Sequence, residues 1–336
     1  MKKIFTLLVA FLAAVSTSMA QGQHGAMKFS GKASFSVASV TVPVESDTVL
    51  YQAAGQNAAD ITIPSMTYQM GQNSETIPSF VIHGVSYAMD MTTMTANFTE
   101  QTFSETITVN SEEKQITGSS LVGAYKHDAF NTFTLTITFT YGRMPMPITY
   151  TIEAYYIKTY TDKLDVMIDK KYTVESVAYN VRTYPDGNDT KLDVEVPTFD
   201  LPDATIGALT SGGYTVKGLA FDQNKGGYYR DYSADGLKLH FHTASIDGDY
   251  PLSNTGANNI LVTFDGKKIK IVNNFKPGAM PFLITTTFPG ETDEAGVERV
   301  KMIDEDRQMP VFNLSGQRVK NQTKGVFIIG GKKYIR

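Results

Sequence analysis

Between Phe29 and Phe288 the chain alternates apolar and polar residues with a period of two. In Phe133-Thr-Leu-Thr-Ile-Thr-Phe-Thr-Tyr141 the residues Phe133, Leu135, Ile137, Phe139 and Tyr141 share one face and threonines occupy the other. That is the pattern of a strand with one buried side. Ile148-Thr-Tyr-Thr-Ile152 and Leu237-Lys-Leu-His-Phe241 repeat it. Ile260 to Phe264 and Lys267 to Val272, joined by Asp265-Gly266, read as a hairpin with a two-residue turn. No long segment carries apolar residues at i, i+3, i+4 and i+7; only Leu201 to Leu209 suits a helical turn or two. The fold class expected is all-β.

The pattern is also duplicated. Asp60-Ile-Thr-Ile-Pro64-Ser-Met66 is answered 133 residues later by Asp193-Val-Glu-Val-Pro197-Thr-Phe199. Ile82-His-Gly84-Val85 is answered by Val216-Lys-Gly218-Leu219 at an offset of 134, and Gly142-Arg-Met144-Pro145 by Gly278-Ala-Met280-Pro281 at an offset of 136. Three matches in one order at nearly constant spacing indicate two tandem units. Each is too long for a solenoid or propeller repeat and suits a closed barrel or a sandwich. Closure removes the unpaired edges that threonine-rich strands would otherwise expose.

On these strand-Pro and Met-Pro pieces the paired units resemble the calycin-like (lipocalin-like) barrel domains of secreted proteins from Bacteroides- and Prevotella-type bacteria. The resemblance implies two tandem antiparallel barrels of about eight strands each and carries no catalytic motif. The expected division is a first barrel in residues 21–158, a boundary in Thr159 to Lys171, a second barrel in 171–288, a polar linker in 289–308 and a short β tail in 309–336.

At the start, Lys2 and Lys3 precede a 12-residue apolar run, Ile4 to Val15, and Ser18-Met19-Ala20 supplies small residues for cleavage before Gln21. This order is that of a secretory signal peptide in 1–20; a transmembrane helix needs roughly 20 apolar residues. The mature chain is expected to be soluble and exported, to the periplasm, the outer-membrane surface or the medium. At the other end, Met309-Pro-Val-Phe-Asn-Leu-Ser-Gly-Gln-Arg-Val319 and Lys324-Gly-Val-Phe-Ile-Ile329 resemble the C-terminal segments of type IX secretion cargo. That likeness implies the secretion machinery as a partner; the plainer reading is a β-hairpin appended to the second barrel.

Charge sharpens this division. The net charge is −4 over 336 residues, but the last 29, from Gln308, carry +6 with no acid, and Gln21 to Arg307 carries −12. An acidic body argues against a nucleic-acid footprint. The absence of cysteine excludes disulfides, thiolate nucleophiles and Cys-based zinc sites, so a hydrophobic core must hold the fold.

Candidate chemistry is sparse. His240 and His242, two apart on a strand, share a face, but two imidazoles make an incomplete metal site, and no metal or cofactor is expected. His83 is replaced by Lys217 in the second unit, which argues against a shared ligand role. Asp186-Gly-Asn-Asp189 and Asp247-Gly-Asp249 suit turns better than calcium. No nucleophile elbow, phosphate loop or His-Glu-x-x-His occurs, so no catalytic residue is assigned. Paired carboxylates from separate strands would leave no linear signature.

The remaining signal is soft and aromatic. Tyr228, Tyr229 and Tyr232 cluster in Gly226-Gly-Tyr-Tyr-Arg-Asp-Tyr232, a polar segment whose tyrosines could stack on a sugar. Met66, Met70, Met89, Met91, Met94, Met144 and Met146 enrich the first unit in side chains able to line an adaptable cavity. The expectation is a non-catalytic binding protein holding a small apolar or glycan ligand in a barrel. The alternatives are an adhesive or structural surface protein with filled barrels and, more distantly, a glycoside hydrolase.

Overall fold

The computed structural model describes residues 25–292, except 39, 71, 72, 205, 206, 256, 267, 279 and 281, together with four short strands beyond them. Residues 1–20, expected as a signal peptide, lie outside the described residues, as does 293–308. No described residue is helical; Leu201 and Leu209, which bound the segment that suited a helical turn or two, lie in three-residue strands.

Ten strands lead through the first half of the chain: β1 (Met27–Val37), β2 (Val40–Ala53), β3 (Ala58–Ile63), β4 (Met66–Met70), β5 (Asn73–Ile77), β6 (Phe80–Asp90), β7 (Thr95–Val109), β8 (Glu112–Lys126), β9 (Thr132–Tyr141) and β10 (Ile148–Met167). Eight of them, β1-β2-β3-β6-β7-β8-β9-β10, form an antiparallel sheet. It closes on itself because β1 pairs with β10, from Phe29 with Tyr156 to Val37 with Ile148. The hairpin β4–β5 stands apart from this sheet and contributes Met66, Tyr68 and Ile77 to the core.

The second half supplies β11 (Lys171–Asp186), β12 (Asp189–Val196), β13 (Phe199–Leu201), β14 (Leu209–Ser211), β15 (Tyr214–Asp222), β16 (Gly227–Asp231), β17 (Lys238–Thr243), β18 (Asp247–Pro251), β19 (Asn259–Asp265), β20 (Lys268–Phe275) and β21 (Ile284–Thr292). Here β10-β11-β12-β15-β16-β19-β20-β21 runs side by side, and the pairing of β21 with β10 closes a second eight-stranded barrel. The four-stranded sheet β13-β14-β17-β18 seats Leu201, Leu209, Leu239 and Phe241 on its core.

The two barrels share β10. Its first part places Ile148, Tyr150, Ile152 and Ala154 in the first core, and its last part places Tyr160, Leu164 and Val166 in the second. Tyr155 still pairs with Thr132 of β9, whereas Ile157 pairs with Arg182 of β11. The segment Thr159 to Met167, expected as a boundary, is therefore barrel strand: Leu164 and Val166 are its buried face, hidden among charges that flank them in sequence. Likewise Pro289 to Thr292, expected to begin the linker, extends β21, because closure needs its pairing with Lys268 to Lys270 on one side and Tyr160 and Thr161 on the other.

A smaller correction concerns a turn. The β19–β20 hairpin closes on the pair Asp265 and Lys268, so the turn lies one residue beyond the expected Asp265-Gly266, with Gly266 at φ +60°. Apart from these barrels, β22 (Val311–Asn313), β23 (Arg318–Val319), β24 (Val326–Ile329) and β25 (Lys332–Ile335) form an antiparallel sheet in the order β23-β22-β24-β25. This C-terminal sheet is a compact unit of its own.

Candidate functional site

The alternation along each strand sends large apolar side chains inward, and they meet. In the first barrel Phe29 stacks on Phe133 at 5.1 Å, and Tyr51, Phe98 and Tyr125 surround that pair. Met66 is buried with them, and Met89, Met144 and Met146 pack from the side; Tyr68 donates its hydroxyl hydrogen to Met144 Sδ at 3.1 Å. These methionines serve as packing, whereas Met91 is exposed. In the second barrel Tyr179 and Phe288 are in ring contact at 4.6 Å.

Three polar side chains inside the second barrel, Tyr214, Tyr232 and Asn273, satisfy one another. Tyr232 is 1% exposed, with its hydroxyl 2.7 Å from Asn273 Oδ1 and 3.0 Å from the Tyr214 hydroxyl. Asn273 Nδ2 donates to the Tyr214 hydroxyl at 2.9 Å, which completes the ring. Burial pushes both tyrosines well above the ordinary phenol value, because a phenolate there would lose its water. Tyr232 is thus a core residue and not a surface ligand contact. The polar segment is mostly strand β16, in which alternation puts Tyr228 and Tyr229 on opposite faces, and Tyr232 follows its end.

Tyr229 faces away from the core residues of its neighbours, and Lys225 Nζ sits 4.2 Å from its ring centroid. Tyr228 pairs with Phe221 on β15 and Val262 on β19, so these residues share the core-facing side of the sheet, and so does Phe264, two residues after Val262. Val262 is buried, but Phe221 is 57% and Phe264 44% exposed. The aromatic face therefore continues past the packed interior and emerges at the rim, at the barrel end where β10 enters. Phe221 meets Tyr228 edge to face at 5.5 Å, and Tyr228 meets Phe264 likewise at 6.1 Å.

Beside Phe264 lies an open groove of about 420 Å³. Phe264, Ile269 and Pro289 make it apolar, while Asp162, Asp265 and Lys268 line it with charge. Phe264 was legible only as the last inward residue of an alternating strand; its position next to the Asp-Gly pair was the one hint that it would surface.

A second crevice of about 300 Å³ lies where the barrels meet, lined from the first by Lys28, Ser46 and Thr48 and from the second by Arg182, Thr215 and Lys217. Its floor is an ion pair: Arg182 Nη2 donates to Asp193 Oδ2, with the side chains only 14% and 7% exposed. Asp193 Oδ1 also accepts the Tyr184 hydroxyl at 3.0 Å and the Gly218 amide at 2.8 Å. Arg182 Nη1 reaches Ser30 of the first barrel at 3.3 Å.

The histidine pair has found carboxylates. His240 Nδ1 lies 3.0 Å from Asp249 and its Nε2 3.0 Å from Asp247, while His242 Nδ1 is 3.3 Å from the same Asp247 oxygen. The hydrogen bond to Asp249, aided by the charge of Asp247, raises the pKa of His240 above its ordinary 6.5. Among the described residues no group of three or more such side chains is arranged to hold a metal ion. Asp90, Glu112, Asp165 and Asp231 all titrate below their ordinary values through hydrogen bonds from Thr93, Lys114, Lys171 and Ser233 respectively. That direction is opposite to the raised value of a proton-donating carboxyl group.

Residues 158–291, which run from the second part of β10 into β21, match the family described as Calycin-like beta-barrel domain. No curated protein matches the chain. Among solved structures, a Bacteroides fragilis protein described as a "putative outer membrane protein" is similar at 16% sequence identity, over 80% of this chain and 97% of that one, with a TM-score of 0.26.

Proposed function

We propose that the protein is an exported, non-catalytic binding protein that takes a glycan on the rim of its second barrel rather than a ligand inside either barrel. The observation that carries this reading is the placement of Phe221, Tyr228 and Phe264: one continuous aromatic face whose two ends remain exposed while both interiors are occupied by side chains. A contiguous exposed apolar patch is a candidate interaction site.

A pyranose ring suits this surface. Its apolar C–H face packs on an aromatic ring, and its edge hydroxyls reach charged and polar groups around the ring. Phe264 offers the ring, and Asp162, Asp265 and Lys268 offer the polar edge. The leader before Gln21 supports export, and the calycin-like match supports a scaffold whose family frequently serves binding. A small apolar ligand fits less well, because the barrel interiors that would take it are already packed.

The test is a glycan array probed with the mature chain from Gln21 to Arg336, followed by calorimetry on the strongest hit. The double variant Phe221→Ala/Phe264→Ala is expected to keep its unfolding free energy in urea to within about 1 kcal/mol, since both rings are exposed, and to lose binding by about 10-fold or more. Binding that survives the double variant, or no glycan bound at all, would reject the reading.

A further inference from the structure

The crevice between the barrels has a different character from the rim. We propose that it binds a small acidic sugar, one monosaccharide ring bearing a single carboxylate or sulfate. This inference does not rest on the rim reading, because the two sites share no residue.

Charge is the first argument. Arg182 is committed to Asp193 and Ser30 and stacks 5.0 Å from the Tyr184 ring, so it forms a fixed, neutralised floor. Lys28 on β1 and Lys217 on β15 approach from opposite barrels, and among the described residues neither has an acidic partner within 4.0 Å. Against them stands Glu195, whose carboxylate already accepts Asn180 Nδ2 at 2.9 Å. One positive charge is left over, supplied by ammonium groups that act as point charges and not as a bidentate fork.

The second argument is the lining between those lysines. Ser46, Thr48 and Thr215 offer hydroxyl groups, each able to donate and accept, which matches the alternating demands of a polyol. The volume of about 300 Å³ is at the lower end of ligand sites and suits one ring. The repeat itself makes the site unique to this junction. The equivalent of Lys217 in the first barrel is His83, which is paired with Asp60 at 3.2 Å and exposed.

The experiment uses the mature chain with four probes: glucuronate, glucose 6-sulfate, glucose and inorganic sulfate, read by protein-detected NMR titration. Saturable binding of glucuronate or glucose 6-sulfate is expected, with glucose and inorganic sulfate weaker by about 10-fold or more; which acidic probe binds better identifies the anion. Lys28→Ala/Lys217→Ala should lower that affinity by about 10-fold, and added salt should weaken it, with Tm unchanged. Phe221→Ala/Phe264→Ala should leave it intact, which separates failure here from failure at the rim. Glucose or inorganic sulfate binding as well as the acidic sugars, an unaffected lysine variant, or no saturable binding would overturn the proposal.

Discussion

Asp193 Oδ1 accepts the backbone amide of Gly218 at 2.8 Å across strands β12 and β15. The register of that pair slips between Leu192 and Val194, and Gly218 has a φ of +70°. The first barrel repeats the arrangement: Asp60 Oδ1 accepts the Gly84 amide at 2.9 Å, the register slips between Ala59 and Ile61, and Gly84 has a φ of +64°. The duplicated Asp and Gly of the sequence are thus the two halves of a bulge, in which a carboxylate caps an amide that the slipped ladder leaves over.

Breaking this bulge should have unequal costs in the two barrels. Asp193→Ala strands the partly buried Arg182 and is expected to cost about 3 kcal/mol. Asp60→Ala, at a more exposed site, should cost under about 1 kcal/mol. Urea denaturation of the two variants checks the order; equal losses would mean that the ion pair adds nothing beyond the capped amide.

Gly84→Ala isolates the backbone contribution, because a Cβ there meets nothing within 4 Å. The left-handed φ alone should then cost about 1 to 2 kcal/mol. A neutral result in the same urea assay would show that the bulge relaxes to an ordinary conformation.

Tyr232→Phe keeps the ring and removes one hydroxyl from the closed network with Tyr214 and Asn273. Asn273 Oδ1 loses its 2.7 Å partner in a buried place, and the expected loss is about 1 to 3 kcal/mol with an unchanged m-value. Glycan binding at the rim should be unaffected, since Tyr232 lies inside the barrel.

The β17–β18 hairpin should respond to pH. His240 has a native pKa raised above 6.5, first by its hydrogen bond to Asp249. Its contribution is therefore complete below the unfolded value and is lost as pH rises through the higher native one. An NMR titration of the His240 ring should show the raised midpoint, and Asp249→Asn should bring it down. A midpoint that Asp249→Asn leaves where it was would assign the shift to Asp247 instead.

Export has a simple signature. The mature protein should begin at Gln21, seen as an intact mass lacking residues 1–20 when the full chain is expressed in a Gram-negative host. Retention of the leader would remove the basis for export.

Local periodicity made much of the barrel legible in advance. Phe133 to Tyr141 alternates as strand β9 with all five expected residues buried, because a side chain two residues on must return to the same face. The duplicated Asp, Gly and Pro positions announced two similar units, since bulges and turns constrain residue type more tightly than packing does. What a strand closes upon is a different matter. Neither end of β10 declares that its first part faces one core and its last part another, because Leu164 and Val166 sit among charges whose exposed positions only the second barrel defines. The same holds for the sites. Phe264 obeys the inward pattern and surfaces only because its strand outruns the core, while Tyr232 follows a polar stretch and is buried because Asn273 comes back beneath it. Lys28 and Lys217, 189 positions apart, share a crevice only because β10 joins the barrels. Alternation along a chain decides which face a residue takes; closure of the sheet decides whether that face meets a core, a rim or a neighbour.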